Sequence, residues 1–323
     1  MKAVKYRQYG PAEVLTIEDT EKPAPKANEV LIKIKAASAT RADTMMRRGA
    51  PYLGRIMLGL LRPKYQGLGT GFAGVIEAKG SAVTHFDVGD AVFGESIFGS
   101  GTNAEYVCVP EDGIMARKPA NLSFEETCFI CDGPLTSLNF LRDVAKLKAG
   151  QRVLIIGASG SLGSAAVQLA NHFGAHVTAV CSSANAVWVK SLGVDRVIDY
   201  AETDFTQEYL AYEVIFDTVG KSSFRQCKGV LSENGLYLSP VFSFGDLFQM
   251  FWTRFFSRKK ALFSATGLRA RTELRDMLHE LNAMLESGRL QSIIDRRYEL
   301  TNIVSAHHYI DEGHKKGNVV IVM

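Results

Sequence analysis

The sequence predicts an α/β protein built from two domains, an antiparallel β domain and a domain with a doubly wound parallel sheet. Up to about Asn121, short alternating or apolar runs are punctuated by glycine, which is typical of antiparallel strands. After Gly150, β-rich apolar runs alternate with helical segments, which is typical of a parallel sheet with crossover helices. The chain has 323 residues, enough for a hydrophobic core in each domain.

The change of pattern near Asn121 sets the expected domain boundary. Ser123 and Glu126 have the spacing of a capping box, and helical spacing then continues toward Leu141. We expect the parallel-sheet domain over 122–267 and the other domain over 1–121 and 268–323, with a last strand that returns to the first domain. The expected strands are 29–36, 74–77, 91–94, 104–109, 153–156, 176–180, 196–198, 214–217, 236–238, 262–265 and 319–322, and the expected helices begin near Leu162, Asn185 and Thr272.

Composition and charge favour a small-molecule partner. Acidic and basic residues nearly balance at a formal net charge of +3, so no overall field indicates a nucleic-acid partner. No run approaches the ~18 uncharged apolar residues of a membrane span, so neither spanning nor secretion is expected. The cysteines are odd in number and scattered, which favours a reducing cytoplasm. They are Cys108, Cys128, Cys131, Cys181 and Cys227.

A glycine-rich turn directly follows the expected strand 153–156 and opens a helix. Small residues there let the backbone approach a pyrophosphate, whose charge the free N–H groups and positive end of the helix stabilise. A glycine turn alone could also serve only a tight strand-to-helix connection. Because strand, turn, helix and second strand arrive at the right spacing, we expect a dinucleotide site. The expected contacts are Gly157, Ser159, Gly160, Ser161, Leu162 and Gly163.

The tip of the second parallel strand indicates which nucleotide is preferred. An NAD-binding domain usually carries Asp or Glu there for the ribose hydroxyls, but this chain has Cys181, Ser182 and Ser183. Without a carboxylate the site would not repel a 2′-phosphate, and the two serines with Asn185 could donate to it. We therefore expect NADPH rather than NADH. The alternative is that these residues only cap the helix that begins near Ala184.

Short sequence motifs spread over essentially the whole chain carry a family resemblance. The motifs are residues 36–43, 48–49, 68–74, 88–94, 157–163, 192–200, 216–220 and 313–320. With these motifs the sequence resembles the medium-chain dehydrogenases/reductases, specifically the zinc-free branch of zeta-crystallin-like quinone oxidoreductases and alkenal reductases. The resemblance implies a GroES-like antiparallel β-barrel catalytic domain and a Rossmann cofactor domain. It also implies an NADPH-dependent oxidoreductase that transfers hydride to a quinone or an α,β-unsaturated carbonyl.

The resemblance also locates where zinc members of the superfamily hold their metal. Those members have a cysteine where Thr40 stands, a His-Glu pair where Thr70 and Gly71 stand, and usually a cysteine near Asp132. A catalytic zinc needs three good N, S or carboxylate ligands, so we expect no zinc here. Without a Lewis acid, hydride donation to an already electron-poor acceptor stays feasible, which fits quinones and enones.

Further cofactor contacts are implied by the resemblance alone. Thr136 matches a position under the nicotinamide, and Tyr200 matches one against the adenosine end. Val219 and Gly220 follow a parallel strand at the edge where such sheets meet their ligand. Asn318 lies near the closing glycine, toward the cofactor. Each of these residues could equally belong to the core or to a turn.

On the substrate side the catalytic candidates are Thr40, Asp43 and Tyr52. Thr40 replaces the asparagine common in the resembling sequences. Asp43 could order the loop, shuttle a proton, or cap the helix that follows. Tyr52 lies one residue from where enoyl-thioester reductases of the superfamily carry a proton-donating tyrosine. Asp132 stands where a small or apolar residue is usual, so it is either a specificity element or solvent-exposed.

The segment 241–256 is aromatic-rich and is followed by the basic Arg258, Lys259 and Lys260. It could be a lid over a hydrophobic acceptor, an anchor for peripheral contact with anionic lipid, or a packed helix at an interface. An exposed edge strand near 262–265 favours a homodimer. The alternative functions are an enoyl-thioester or aldehyde reductase, a nucleotide-binding protein with little turnover, and a peripheral membrane scaffold.

Overall fold

The computed structural model describes residues 1–97, 101–241 and 244–323, which form two compact units. The first unit comprises Met1–Asp132, Arg269–Gly288 and Ser292–Met323, and the second comprises Gly133–Leu268 and Arg289–Gln291. The first break along the chain therefore comes later than the boundary expected near Asn121. The reason is that the short helix after Ser123 packs against strands of the first unit.

The strands are numbered in chain order. Within the described ranges they are β1 (Lys2–Tyr6), β2 (Leu15–Asp19), β3 (Glu29–Ala39), β4 (Gly71–Lys79), β5 (Ala91–Glu95), β6 (Tyr106–Pro110), β7 (Ile114–Arg117), β8 (Arg152–Ile156), β9 (His176–Cys181), β10 (Arg196–Asp199), β11 (Tyr212–Asp217), β12 (Leu231–Ser239), β13 (Lys260–Phe263), β14 (Ile294–Glu299) and β15 (Asn318–Val322).

The helices are numbered in the same way. Those in the described ranges are α1 (Arg41–Arg48), α2 (Arg55–Leu58), α3 (Phe124–Thr127), α4 (Gly133–Leu138), α5 (Ser161–His172), α6 (Ser183–Ser191), α7 (Phe224–Cys227), α8 (Phe244–Phe256), α9 (Arg271–Glu286) and α10 (Ile303–Glu312). A π-helical segment, Asn139–Val144, continues α4. Across the described part of the chain, no helix is long and apolar enough to cross a bilayer.

The second unit contains a six-stranded sheet in the order β10-β9-β8-β11-β12-β13, with every neighbouring pair parallel. From β8 the chain adds β9 and β10 on one side, and from β11 it adds β12 and β13 on the other. The order therefore reverses between β8 and β11, and ligands of such sheets bind beyond the carboxyl ends of the strands at this point. The predicted parallel-sheet domain is confirmed.

The first unit contains a sheet in the order β14-β15-β3-β4-β5-β7, with β6 also paired to β3. Every pair is antiparallel except β14 with β15, and β1 pairs with β2 in a separate antiparallel ribbon. The strand expected near the C-terminus does return to this unit, because β15 pairs with β3. Alternate residues of β3 and β4 face a buried apolar core that includes Ile32, Phe72 and Ile76.

Three local expectations differ from the structure. The strand expected over 262–265 begins earlier, at Lys260, and ends at Phe263, because its residues pair with residues 236–239 and β12 ends at Ser239. The helical pattern after Ser123 breaks into α3, α4 and the π-helical segment. The capping box is confirmed, since Ser123 Oγ accepts from Glu126 N and Glu126 accepts from Ser123 N. Strand β14 was not expected.

Candidate cofactor site and acidic cluster

The glycine turn lies at the switch point of the parallel sheet, directly after β8. The N–H groups of Gly157 and Ala158 both donate to the carbonyl of Val180 in β9, at 3.0 and 3.1 Å. These bonds fix the turn to the neighbouring strand. The chain then enters α5 with Gly160 at the N-cap position, where no side-chain hydrogen bond caps the helix. The helix start thus has no side-chain cap at Gly160, which is the arrangement found where anions bind at helix N-termini.

The three glycines of the turn have different roles. A Cβ on Gly163 would lie 2.1 Å from the Gly157 carbonyl oxygen, so close packing of helix on strand requires glycine there. Gly157 has φ +77°, and a Cβ on it would lie 2.6 Å from Val219 Cγ1. At Gly160 the nearest atom to an added Cβ is 3.6 Å away. The fold therefore needs Gly157 and Gly163, while Gly160 leaves space that the protein itself does not use.

Helix α4 fixes the start of α5. A Cβ on Gly133 would lie 2.3 Å from Ser161 Oγ, and Ser137 Oγ donates to the Leu162 carbonyl at 2.8 Å. Ser161 is buried, whereas Ser159 and Leu162 are partly exposed. Thr136 lies on the same short helix α4 and is also partly exposed.

Asp217, at the end of β11, organises the loop beside the glycine turn. Its buried carboxylate accepts from the backbone N–H groups of Val219, Gly220 and Ser222 at 3.1, 2.8 and 2.8 Å, and from Tyr237 Oη at 3.0 Å. This holds Val219, about half exposed, and Gly220 at the carboxyl edge of the sheet. The sequence had not assigned a role to Asp217; an acidic residue at the end of a buried strand was its only signal.

Thr218 joins this loop to the glycine turn. Its Oγ1 donates to the Ile156 carbonyl at 2.7 Å and lies 3.3 Å from the Gly157 carbonyl oxygen. Together with the contact between Gly157 and Val219, these bonds bring the expected nicotinamide-end residues next to the expected pyrophosphate turn.

At the tip of β9, Ser182 and Ser183 are partly or fully exposed, and the helix expected from Asn185 begins at Ser183. Ser182 makes no side-chain capping bond. Asp199, at the end of β10, caps the helix instead, because its Oδ2 accepts from Ser183 N at 2.9 Å. Its Oδ1 accepts from Ala201 N at 2.9 Å. A carboxylate thus stands beside the serines, which sequence reasoning missed.

The hydrogen bonds from Ala201 and Ser183 keep the pKa of Asp199 below its usual range, so this carboxylate is ionised at neutral pH. Asn185 is buried, and its Oδ1 accepts from Trp188 Nε1 at 3.3 Å, so part of the expected 2′-phosphate contact is used within the helix. Tyr200 is 59% exposed, which leaves its ring accessible to a ligand.

Asn318 is the first residue of β15, in the first unit. Its side-chain Nδ2 and its backbone N both donate to the Ile293 carbonyl, at 3.0 and 2.9 Å. The amide therefore ties the start of β15 to the residue that precedes β14. This gives Asn318 a role in the first unit's sheet that the family resemblance did not imply.

Thr40 and Asp43 form a reciprocal cap at the start of α1. Thr40 N and Thr40 Oγ1 donate to Asp43 Oδ2 at 2.7 and 2.8 Å, and Asp43 N donates to Thr40 Oγ1 at 3.1 Å. Both side chains are buried. The cap expected as one role for Asp43 is therefore present, with Thr40 as the N-cap residue. The Thr40 hydroxyl, proposed for a substrate, is already engaged in it.

Asp43, Glu95 and Asp132 interact electrostatically in the first unit and are called the acidic cluster below. Burial raises the pKa of Asp43 to about 7, against the hydrogen bonds from Thr40, and the Asp132 charge adds to the rise. Burial raises the pKa of Glu95 to about 8, with Asp132 and Asp43 adding to it. Burial thus favours the protonated form of both carboxyls.

Lys315 faces the same cluster. Burial lowers the pKa of its ammonium, while Asp132 and Asp295 act in the opposite direction. Its Nζ donates to the Gly317 carbonyl at 2.8 Å. Asp132 is partly buried and interacts electrostatically with Asp43, Glu95 and Lys315. The sequence had not connected Glu95 or Lys315 with the site.

Tyr52 makes no hydrogen bond to the other two catalytic candidates among the described residues. It starts a short 3₁₀ turn, is 78% exposed, and its ring lies 4.7 Å from Arg55 Cζ. The contacts of the described residues place Thr40 and Asp43 together and give Tyr52 no bond to either.

The positions that correspond to zinc ligands do not offer a donor set. The Thr40 hydroxyl is used in the helix cap, and a Cβ on Gly71 would lie 2.3 Å from the Cys128 carbonyl oxygen and 2.5 Å from Ser38 Oγ. Only the Asp132 carboxylate could serve as a strong ligand there. Among the residues that the structure describes, no group of three or more His, Cys, Asp or Glu side chains could hold a metal ion.

A parallel sheet with a glycine turn at its switch point, joined in one chain to an antiparallel β unit, defines the class of two-domain dehydrogenases and reductases. The chain belongs to the medium-chain dehydrogenase/reductase family, in its quinone oxidoreductase branch. Family models match it as an alcohol dehydrogenase GroES-like domain over residues 26–120 and as a zinc-binding dehydrogenase over residues 192–321. The expected GroES-like and Rossmann architecture is confirmed.

Two curated relatives and one solved structure illustrate this membership. The chain is 32% identical to a 2-methylene-furan-3-one reductase of Solanum lycopersicum, over 99% of this chain and 79% of the relative. It is 28% identical to an NADPH-dependent alkenal/one oxidoreductase, chloroplastic, of Arabidopsis thaliana, with the same shares covered. The quinone oxidoreductase of Coxiella burnetii superposes with a TM-score of 0.89 at 30% identity, covering 100% of this chain and 99% of that one.

Proposed function

We propose that the chain is a zinc-independent, NADPH-dependent oxidoreductase that transfers hydride to a quinone or an α,β-unsaturated carbonyl. The observation that carries the proposal is the glycine turn at the sheet's switch point, where Gly160 leaves open space beside an uncapped helix start. The names of the relatives support the acceptor class. A 2-methylene-furan-3-one and an alkenal each contain a C=C bond conjugated to a carbonyl.

The proposal assigns parts of the cofactor to separate residues. The turn from Gly157 to Gly163 would hold the pyrophosphate through backbone N–H groups. Ser182 and Ser183 would donate to the 2′-phosphate. The remaining contacts are Tyr200 for the adenosine, Thr136, Val219 and Gly220 for the nicotinamide end, and Asn185 and Asn318 as weaker candidates, because their amides already have protein partners.

Zinc independence rests on the chemistry of the donors. A hydroxyl already used in a helix cap and a glycine with no room for a side chain cannot complete a zinc site with Asp132 alone. The protein must then rely on hydrogen-bond donors and on an acceptor whose conjugation spreads the arriving charge.

Reduction of an enone consumes one hydride at the β-carbon and one proton at the α-carbon. NADPH, when held by the glycine turn, would supply the hydride. We propose that the acidic cluster holds the proton, with the Asp43 carboxyl as the exchanging group and Thr40 as the residue that positions it, because burial keeps part of this carboxyl protonated at neutral pH. The exposed phenol of Tyr52 is the second proton-donor candidate.

We also propose a homodimer and a cytoplasmic location. Strand β13 is at the edge of the six-stranded sheet and pairs with β12 on one side only, so a second copy could cover it. The five cysteines are free thiols, which suits a reducing compartment. Analytical ultracentrifugation at several concentrations tests the dimer.

The function is tested by titrating the protein with NADPH and NADH by fluorescence, then following NADPH oxidation with quinones, enones, enoyl thioesters and aldehydes. We expect tighter binding of NADPH and turnover of quinones or enones. Turnover restricted to enoyl thioesters or aldehydes would mean that the acceptor is one of these compounds and not a quinone or an enone. Tight binding without any turnover would indicate a nucleotide-binding protein that is not an active reductase. Binding of neither nucleotide would overturn the proposal.

A further inference from the structure

Helix α8 carries its apolar face outward. Phe248, Phe251, Trp252, Phe255 and Phe256 follow one another at helical spacing and are between 50% and 68% exposed. Thr253, in contrast, is buried against the sheet, and its Oγ1 accepts from Ala261 N of β13 at 3.1 Å. A helix on the surface of a globular protein normally buries its apolar stripe and exposes its polar one. In α8, in contrast, the aromatic side chains face solvent and the polar Thr253 is buried. Phe242 and Ser243 of the aromatic segment lie outside the described residues.

The outward side chains form one continuous aromatic surface. The rings of Phe251 and Phe255 are 5.4 Å apart between centroids, those of Trp252 and Phe256 are 4.6 Å apart, and Phe248 stacks on Trp252 at 6.4 Å. Scattered exposed apolar residues are ordinary, but a contiguous patch of this kind marks a surface that another phase or molecule covers. We call these five residues the aromatic face.

The segment that carries the aromatic face is basic. Residues 244–260 contain four basic side chains against one acidic, an excess of three, which equals the formal net charge of the whole chain. The four are Arg254, Arg258, Lys259 and Lys260. The rest of the chain is therefore electrically balanced, and the net positive charge is concentrated beside the aromatic face.

Most of this charge is not cancelled locally. The ammonium groups of Lys259 and Lys260 donate to backbone carbonyls, which are neutral. Arg254 lies against the Phe255 ring, 5.8 Å from its centroid. Arg258 pairs with Glu233, which offsets one charge. The segment thus keeps an excess of two positive charges, and Arg254 is the basic group that contacts the aromatic face.

We propose that the aromatic face of α8 docks on a lipid bilayer that carries anionic headgroups. Phe and Trp side chains partition into the boundary between headgroups and acyl chains, and nearby Lys and Arg are attracted to anionic lipid. A second copy of the chain fits this surface less well, because pairing two such faces would bring two positively charged segments together. This inference does not depend on the proposed reductase activity.

The test is flotation of the full-length protein with vesicles of phosphatidylcholine alone or mixed with phosphatidylglycerol. We expect binding to the mixed vesicles and much weaker binding to phosphatidylcholine alone. The double variant Phe251→Gln with Phe255→Gln should bind the mixed vesicles at least about tenfold more weakly, because two large apolar side chains are lost from the contact. Arg254→Gln should weaken binding about fivefold.

Two control variants and one fluorescence measurement make the result specific. Tyr209→Gln removes a fully exposed aromatic from another part of the same unit and should leave vesicle binding unchanged. Arg62→Gln removes an exposed charge from the first unit and should also have no effect. In a Trp188→Phe background Trp252 is the sole tryptophan, and its emission should shift to shorter wavelength when mixed vesicles are added.

Several outcomes would overturn the proposal. These are no binding to mixed vesicles, equal binding to both kinds, or equal loss of binding in Tyr209→Gln or Leu61→Gln, since Leu61 is an exposed apolar residue of the first unit. A double variant that changes the oligomeric state in ultracentrifugation without affecting vesicle binding would assign the aromatic face to a second copy. NADPH titration of each variant, read separately, reports on the proposed reductase and not on lipid binding.

Discussion

Thr40 and Asp43 each satisfy the other's polar groups within a buried helix start. Two donors of Thr40 converge on one oxygen, Asp43 Oδ2, at 2.7 and 2.8 Å. The other oxygen, Oδ1, is buried and accepts no hydrogen bond of ordinary geometry among the described residues, although the Gly69 N–H is near enough to favour the ionised form slightly. The carboxyl is thus held rigidly by one oxygen while burial favours its protonation, an arrangement suited to a group that exchanges a proton.

Replacing the Thr40 hydroxyl should therefore weaken both the helix and the carboxylate. Thr40→Val removes the capping oxygen and one donor to Asp43, so we expect a loss of about 1–2 kcal/mol in the free energy of unfolding. The pKa of Asp43 should rise further. Urea denaturation measures the first effect, and the pH dependence of turnover measures the second. Thr40→Ser keeps the hydroxyl and should behave nearly as the original protein; an equal loss in both variants would show that the methyl group, not the cap, matters.

Glu95 should make the protein less stable as pH rises from the acidic into the neutral range. Its pKa in the folded protein, about 8, lies above its ordinary value of 4.5, so the folded state keeps a proton that the unfolded chain loses. Stability should accordingly fall as pH rises from about 4.5 to about 8. Glu95→Gln should lose about 4–5 kcal/mol less than the original protein over that range, because its amide does not ionise.

Urea denaturation at several pH values measures this difference, and the exposed Glu21→Gln is the matched control. Parallel curves for Glu95→Gln and the original protein would contradict the buried-carboxyl account.

His307 should produce the opposite dependence on the acidic side. It is fully buried in α10, and neither ring nitrogen has a hydrogen-bond partner among the described residues. Burial and then the Arg47 charge lower its pKa to about 3. The unfolded chain binds a proton below its ordinary value of 6.5 and the folded chain does not, so stability falls as pH drops from about 6.5 toward about 3.

His307→Leu should remove this slope and gain about 2 kcal/mol relative to the original protein near pH 5. His308→Gln is the control, because His308 is half exposed and pairs with Glu13 at 2.8 Å. Acid unfolding of both variants is followed by circular dichroism. Unchanged acid sensitivity in His307→Leu would mean that the buried imidazole is not the source of the acid sensitivity.

Asp199 should limit the preference for NADPH. Its ionised carboxylate stands beside Ser183, where the proposed 2′-phosphate would lie, and like charges repel. Asp199→Asn should tighten NADPH binding about threefold and leave NADH nearly unchanged. Fluorescence titration with both nucleotides measures the ratio, with the exposed Glu202→Gln as the control. Equal changes for both nucleotides would place the 2′-phosphate elsewhere.

The glycines of the turn should separate folding from binding. Gly163→Ala places a Cβ 2.1 Å from a backbone oxygen, so we expect a loss of about 3 kcal/mol or more in stability. Gly160→Ala meets no atom closer than 3.6 Å and should keep its stability, but NADPH binding should weaken about tenfold where the backbone meets the pyrophosphate. Thermal melts and nucleotide titration, run on both variants, check the pair. Full NADPH affinity in Gly160→Ala would mean that the pyrophosphate does not bind at this turn.

Features that depend on neighbouring residues in the chain were predictable from the sequence. The glycine turn, the capping box at Ser123 and the alternation of strands and helices all follow from local spacing. Strand β14 was missed because Asp295, Arg296 and Arg297 interrupt any apolar alternation. It is a strand because β15 pairs with it, which is a long-range property.

Residues of the candidate site were likewise hard to predict where their roles depend on contacts between distant parts of the chain. Asp199 caps a helix that begins 16 residues earlier in the chain, so no local pattern revealed its role. Asp217 binds the loop that directly follows it, but its burial and its bond to Tyr237, 20 residues away, depend on the folded sheet. The acidic cluster brings Asp43, Glu95 and Asp132 together from three separate segments. Their raised pKa values come from burial, which the sequence does not state residue by residue.

The most direct test of the account is the fate of the hydride. NADPH that carries deuterium at C4 of the nicotinamide is supplied with an enone, and the product is analysed by mass spectrometry and NMR. The account predicts one deuterium at the β-carbon and one solvent-derived hydrogen at the α-carbon. Loss of NADPH with no deuterium in the product, or no consumption of NADPH with any quinone or enone despite tight binding, would contradict it.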